Sequence, residues 1–276
     1  MGPVSFRGYF ALSGTDRSAL GAQVEAQRAR VRARLADVRA VVAVLSGKGG
    51  VGKSYVSAGL AVGAAREGRA VGVLDADLRS PTVARLLEAH GPLHVTDDGV
   101  HPAIGTAGTR VVSSDHLLAE GQPLTWREPE AERFVWRSTL ETGALREFLS
   151  DVVWGPLDLL VIDLPPGADG VTDVAALVPD LYGAVAVTIP SDESRRSVER
   201  TLRAASNAGI RVLGIVENMA GYHCPECRMV RPLFAGDAGA QLARAFGAPL
   251  LGSIPFSPTP SPQFAETIAR TVGLLP

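Results

Sequence analysis

The sequence predicts an α/β protein: a doubly wound, mostly parallel sheet with an N-terminal helical extension. Three observations carry that expectation. From residue 41 onward, short and nearly continuous apolar runs alternate with helix-like segments, the pattern of strands covered on both faces. A glycine-rich stretch, Gly47 to Ser54, sits between the first run and the first helix. Residues 1–40 differ from the rest, with Arg7, Arg17, Arg28, Arg30, Arg32, Arg34 and Arg39 outnumbering Asp16, Glu25 and Asp37.

The elements follow in order. From about Asp16 to Val38 apolar residues fall at Leu20, Val24, Val31, Leu35 and Val38, one helical stripe interrupted by Gln27. A helix packed on the domain surface with a solvated arginine face is favoured over a partner-binding arm. "AVVAVLS" (40–46) is a buried strand, and a helix runs from about Gly52 to Glu67. Further strands are expected at 70–77, 109–114, 157–167, 183–190, 211–219 and 249–255. Helices are expected from near Pro81, over Thr139 to Ser150 and over Glu193 to Ala208. The stretch from Gly91 to Gly108 is read as an insertion-like loop, with Asp97-Asp98 a solvated turn. Residues 1–40 are thus a basic helical extension and 41–276 a single domain.

Composition narrows the function. The 276 residues carry a formal charge of −2, which gives no overall pull toward nucleic acid or anionic membrane. No apolar run approaches the roughly 20 residues that span a bilayer. The first residues lack a signal-peptide pattern, so a cytoplasmic location is expected.

Of the 27 basic residues, only Lys48 and Lys53 are lysine. A composition that uses arginine wherever either will serve makes those two informative, because an ammonium is compact where a guanidinium is a planar fork. Both lie in Gly47-Lys48-Gly49-Gly50-Val51-Gly52-Lys53-Ser54, which matches G-x-x-x-x-G-K-[ST] between a strand and a helix. Its glycines let backbone N–H groups converge on phosphate oxygens. Lys53 is expected on the β- and γ-phosphates and Ser54 on Mg²⁺. Gly47, Gly49 and Gly52 also spell G-x-G-x-x-G, but a pyrophosphate held by backbone alone needs neither Lys53 nor Ser54.

Carboxylates surround this loop. Asp75 and Asp77 end the second strand, where doubly wound folds bind ligands. Asp77 is the candidate for positioning the attacking water, and Asp75 is expected nearer Mg²⁺. "LLVID" ends in Asp163, the form of a strand that holds Mg²⁺, and Gly167 permits a switch loop after it. Cys224 and Cys227, in C-P-E-C, are the only cysteines. Two thiolates cannot close a tetrahedral site, whereas a symmetric homodimer supplies four, enough for a [4Fe–4S] cluster or Zn²⁺. Neighbouring His223 is read as a bystander.

With its second lysine, the loop resembles those of the deviant P-loop ATPases, the class containing MinD, ParA and nitrogenase iron protein. The resemblance implies a P-loop NTPase, MinD-like fold, and places Lys48 across a dimer interface onto the partner's nucleotide. From about Val41 to the C-terminus the chain resembles the Mrp family of ATPases, relatives of the eukaryotic cytosolic iron–sulfur scaffold proteins. That rests on "SGKGGVGKS", "LDADLRSP", "VWGPLDLLVIDLPPG", "LGIVENMAGYHCPEC", "FAGDAGAQLA" and "PLLGSIP", in that order. It implies ATP and Mg²⁺ binding, slow ATP hydrolysis, and transfer of a [4Fe–4S] cluster to apo client proteins by a homodimer. It also implies that Asn218 contacts adenine, with Asn207 left as a helix C-terminal cap. Departures fall near the nucleotide: Tyr55 stands where the family has Thr against the α-phosphate, Arg79-Ser80-Pro81 replaces Tyr-Gly-Pro, and "VWRSTL" at Trp136 and Arg137 replaces Trp-Arg-Gly-Pro. Two alternatives stay open: a MinD/ParA-like positioning ATPase acting on membrane or DNA, and a dimer stapled by zinc.

Overall fold

The computed structural model describes residues 20–117, 143–178, 180–224, 226–227, 229–257 and 259–276. The start of the expected N-terminal helix at Asp16, the departures at Trp136 and Arg137, and the start of the helix expected from Thr139 lie outside them.

In chain order the first elements are α1 (Leu20–Arg34), β1 (Val41–Ser46), α2 (Lys53–Arg66), β2 (Val71–Asp75), α3 (Val83–Leu86), β3 (His94–Thr96), β4 (Gly99–His101), β5 (Ala103–Ile104) and β6 (Arg110–Val112). Then come α4 (143–151), β7 (Leu159–Asp163), α5 (Asp169–Leu177), β8 (Gly183–Thr188), α6 (Asp192–Asn207) and β9 (Val212–His223). The last are β10 (Val230–Arg231), α7 (Ala238–Phe246), β11 (Leu250–Phe256) and α8 (Pro262–Val272).

Among the described residues nine strands form one sheet in the order β10-β9-β8-β1-β7-β2-β6-β5, with β11 also paired to β9. β1 lies centrally, parallel to β7 on one side and β8 on the other. In this sheet β5 and β10 run antiparallel to their neighbours, so it is mostly parallel, as expected. Alternation along each strand feeds two cores. Val42 and Val44 share one layer with Val56 and Leu60 of α2 and Ile268 of α8. Val41, Ala43 and Leu45 share the other with Leu149 of α4 and Val198 and Leu202 of α6. The carboxyl ends of β1, β2 and β7 thereby gather on one edge, and register sets Asp75 beside Asp163.

The helix α1 packs on the second layer through Val31, which is 1% exposed. The Arg34 Nε donates to the Ser150 carbonyl at 3.1 Å, and its Nη2 donates to the carbonyl of Asp98. Replacing Val31 by alanine is expected to cost about 1–3 kcal/mol from lost apolar burial. The midpoint of denaturant unfolding measures it, and an unchanged midpoint would show that α1 is only laid on the surface.

Three local expectations need correcting. The stretch read as a loop contains the hairpin β3–β4 and the edge strand β5. Those strands are two or three residues long and partly or fully exposed, so no apolar alternation marks them. Asp97-Asp98 does form the turn of that hairpin. The helix after β2 shrinks to four residues. Asn207 is the last residue of α6; Ala208 is the cap, and Gly209 takes the left-handed conformation at φ +75°.

Candidate functional site

The loop after β1 and the first turn of α2 form one wall of a cleft of about 650 Å³. Lys48, Gly49, Gly52 and Ser54 line it on that side, Asp77 and Arg79 on another, and Pro165 and Asp169 close it. Gly52 caps the start of α2 at φ +84°, a conformation that L side chains rarely adopt.

Asp163, fully buried at the end of β7, is the electrostatic centre. Its Oδ2 accepts from Lys53 Nζ at 2.7 Å and from Ser54 Oγ at 2.6 Å, and its Oδ1 from Ser57 Oγ at 2.6 Å. The Lys53 side chain is only 6% exposed, so this is a buried ion pair. No nucleotide motif marks Ser57, which lies four residues after Lys53 on the same helix face. The Ser54 hydroxyl and the Asp163 carboxylate are adjacent oxygen donors, which suits a hard cation such as Mg²⁺.

Asp75 is also fully buried. Its Oδ2 accepts from the backbone N–H groups of Thr82 at 3.0 Å and Val83 at 3.1 Å and from Ser113 Oγ at 3.1 Å. Its Oδ1 accepts from the N–H of Asp77 at 3.2 Å. The carboxylate expected near Mg²⁺ is thus engaged by the loop that carries Asp77. Desolvation, with the negative charge of Asp163 beside it, pushes Asp75 up to about 7. Asp77 is raised as well, chiefly by burial.

That shift fixes a pH dependence. A carboxyl whose folded pKa is raised takes up protons on folding, so its stabilising contribution is full below its unfolded value near 3.8. It is lost as pH rises through about 7. Asp75→Asn is therefore expected to flatten the fall in stability of the ligand-free protein between those values. Unfolding free energies of the two proteins compared across that window check it, and identical slopes would refute it.

Lys48 extends from the loop, with Nζ 3.9 Å from Glu193 Oε2 and the side chain 37% exposed. Tyr55 turns toward α8, its ring 4.4 Å from that of Phe264, and burial raises its phenol pKa. Asn218, on β9, is 6% exposed, and its Nδ2 donates to the Val51 carbonyl at 2.9 Å. Gly167 takes φ +101°, and its N–H donates to the Ser46 carbonyl at 2.9 Å.

The cysteines lie beyond the end of β9, with Cys224 partly exposed and Cys227 exposed. The Cys224 N–H donates to the Met229 carbonyl at 3.0 Å, closing the turn into β10. The sulfur of Cys224 is held below the ordinary thiol pKa by the backbone N–H groups of Cys227 and Glu226 and by the Cys227 side chain. Among the described residues no group of three or more His, Cys, Asp or Glu is placed to hold a metal ion. No helix among the described residues is long and apolar enough to cross a membrane.

Residues 37–270 match the family described as NUBPL iron-transfer P-loop NTPase. The chain belongs to this family. It is 38% identical over 246 residues to an iron-sulfur cluster carrier protein of Saccharolobus solfataricus, spanning 88% of this chain and 80% of that protein. It is 40% identical over 228 residues to the cytosolic Fe-S cluster assembly factor NUBP2 of Homo sapiens, spanning 81% and 82%. Among solved structures, a nucleotide-binding protein of Archaeoglobus fulgidus in complex with ADP is similar at TM-score 0.65 and 34% identity, covering 89% of this chain and 92% of that one. The cell division ATPase MinD of Pyrococcus furiosus, at TM-score 0.57 and 20% identity, covers 86% and 100% and shares the fold alone. The match bears out the resemblance to iron–sulfur scaffold ATPases. Within the NUBPL family region lie the P-loop, Asp163, Asn218 and both cysteines.

Proposed function

We propose that this protein binds and hydrolyses ATP and carries an iron–sulfur cluster between the paired C-x-x-C motifs of a cytoplasmic homodimer, for delivery to apo client proteins. The observation that carries the proposal is that one strand serves both sites. Asn218, within β9, reaches the P-loop, and β9 ends directly before Cys224. Along an extended strand those two residues are separated by about 20 Å.

Each residue has a role in this reading. The P-loop amides and Lys53 hold the triphosphate, which requires the Lys53 ammonium to exchange its bond with Asp163 for phosphate oxygens. Ser54 and Asp163 would hold Mg²⁺, which neutralises charge on the phosphate oxygens when bound. Asp77 orients the attacking water, and Asp75 holds the loop that carries Asp77. Lys48, tethered only weakly by exposed Glu193, is left to reach the nucleotide of a second protomer. The domain division follows: residues 41–276 carry both sites, and 1–40 are an extension.

The cargo is a [4Fe–4S] cluster in this reading. Four thiolates from two chains suit Zn²⁺ equally in ligand type. Anaerobic reconstitution with iron and sulfide, with iron, sulfide and zinc counted per dimer, separates the two. About four iron and four sulfide per dimer support carriage. About one zinc with no stable cluster would replace carriage with a structural staple. A protein holding neither would favour a positioning ATPase, and salt-sensitive binding to DNA or anionic vesicles would then be sought.

A further inference from the structure

Three side chains hold backbone carbonyls of the P-loop, two of them, Ser197 and Asn218, from outside the residues that line the cleft. Ser197 Oγ, on α6, donates to the Gly47 carbonyl at 2.6 Å. Ser46 Oγ, at the end of β1, donates to the Lys48 carbonyl at 3.1 Å. Asn218 Nδ2, on β9, donates to the Val51 carbonyl at 2.9 Å. Because the partner of Asn218 is a carbonyl, which only accepts, the amide nitrogen must face the loop.

A trans peptide is planar, so the C=O of one residue and the N–H of the next point in opposite directions. Fixing the carbonyls of Gly47, Lys48 and Val51 therefore aims the N–H groups of Lys48, Gly49 and Gly52 the other way. Those three residues line the cleft. The packing is tight at two of the contacts. A Cβ on Gly47 would lie 2.3 Å from the backbone of Ser197, and one on Gly52 would lie 2.1 Å from Asn218 Nδ2. A side chain at Gly47 would collide with the α6 backbone, and one at Gly52 would displace the Asn218 amide and be strained at φ +84°.

We infer that Ser197 and Asn218 are positioning residues for phosphate binding, setting the direction of the P-loop amides from behind. The inference deepens the nucleotide reading above and rests on it. It separates two roles for Asn218 that predict different losses. A residue that reads adenine discriminates between bases. A residue that orients phosphate-binding amides affects every ligand with a polyphosphate, base or none.

The experiment is calorimetric titration of the full chain with MgATP, MgGTP and inorganic tripolyphosphate, on the natural protein, Ser197→Ala and Asn218→Ala. Melting temperatures without ligand are measured alongside. Loss of one hydrogen bond is expected to weaken all three ligands, tripolyphosphate included, about three- to tenfold per variant, with the ATP-to-GTP ratio unchanged in Ser197→Ala. Ser197 is half-buried and alanine suits a helix, so Ser197→Ala keeps the melting temperature of the natural protein while losing affinity. Full affinity for all three ligands in Ser197→Ala would overturn the inference. So would an Asn218→Ala protein that keeps its tripolyphosphate affinity and loses only its preference between bases. Should Asn218→Ala not fold, Ser197→Ala decides alone. Failure of the natural protein to bind any of the three would refute the nucleotide reading itself, before any variant is compared.

Discussion

Asp163→Ala is expected to destabilise the ligand-free protein by about 3–5 kcal/mol and to abolish magnesium-dependent nucleotide binding. The carboxylate is fully buried and accepts three hydrogen bonds, from Lys53, Ser54 and Ser57. Its removal leaves the Lys53 ammonium, 6% exposed, without its counter-charge. The hydroxyls of buried Ser57 and half-buried Ser54 lose their acceptor as well. The cost is that of an unpaired charge, which is larger than the net value of the pair. A double variant, Lys53→Met with Asp163→Leu, removes both charges together and is expected to recover most of the stability and none of the binding. Denaturant unfolding measures the first outcome and nucleotide titration the second. A double variant as unstable as the single one would mean that the loss arises from packing and not from the orphaned lysine.

Cys224→Ser is expected to reduce reconstituted iron from about four per dimer to well below one, with ATP affinity unchanged. The serine keeps the shape of the turn and removes the thiolate. Cys224 and Cys227 are the only thiolates a chain can offer, so each loss leaves two of four positions open in a symmetric dimer. Cys224 accepts backbone N–H bonds from Cys227 and Glu226, which favour the thiolate that a metal needs. It is also partly exposed, so folding stability should move by no more than about 0.5 kcal/mol. Iron and sulfide assays beside a thermal melt check both halves. Full iron content in Cys224→Ser would place the cluster elsewhere.

Much of the fold could be read along the chain. The strand at 41–46 and the helix from Lys53 are one buried run and one glycine loop apart, and both lie within a residue or two of expectation. The hairpin at 94–101 escaped because its strands are too short and too exposed to carry a period. The site divides in the same way. The motifs mark Lys53, Ser54 and Asp163, whose side chains meet at 2.7 Å or less. Asp75 carries the same local mark, a carboxylate at a strand end. Its lone pairs are taken by Thr82, Val83, Ser113 and Asp77, which no spacing rule for a metal ligand reveals.

From the sequence alone came the parallel sheet, the phosphate loop with its two lysines and the pair of thiols. Each is local, written in a period of two or 3.6 residues or in a spacing of a few positions. Tertiary structure decided what stands behind the loop. Ser197 meets Gly47 across 150 residues of chain and Asn218 meets Val51 across 167. A hydrogen bond fails beyond a few tenths of an ångström from its optimum, and distances that fine are set by strand register and helix packing, which no local pattern contains.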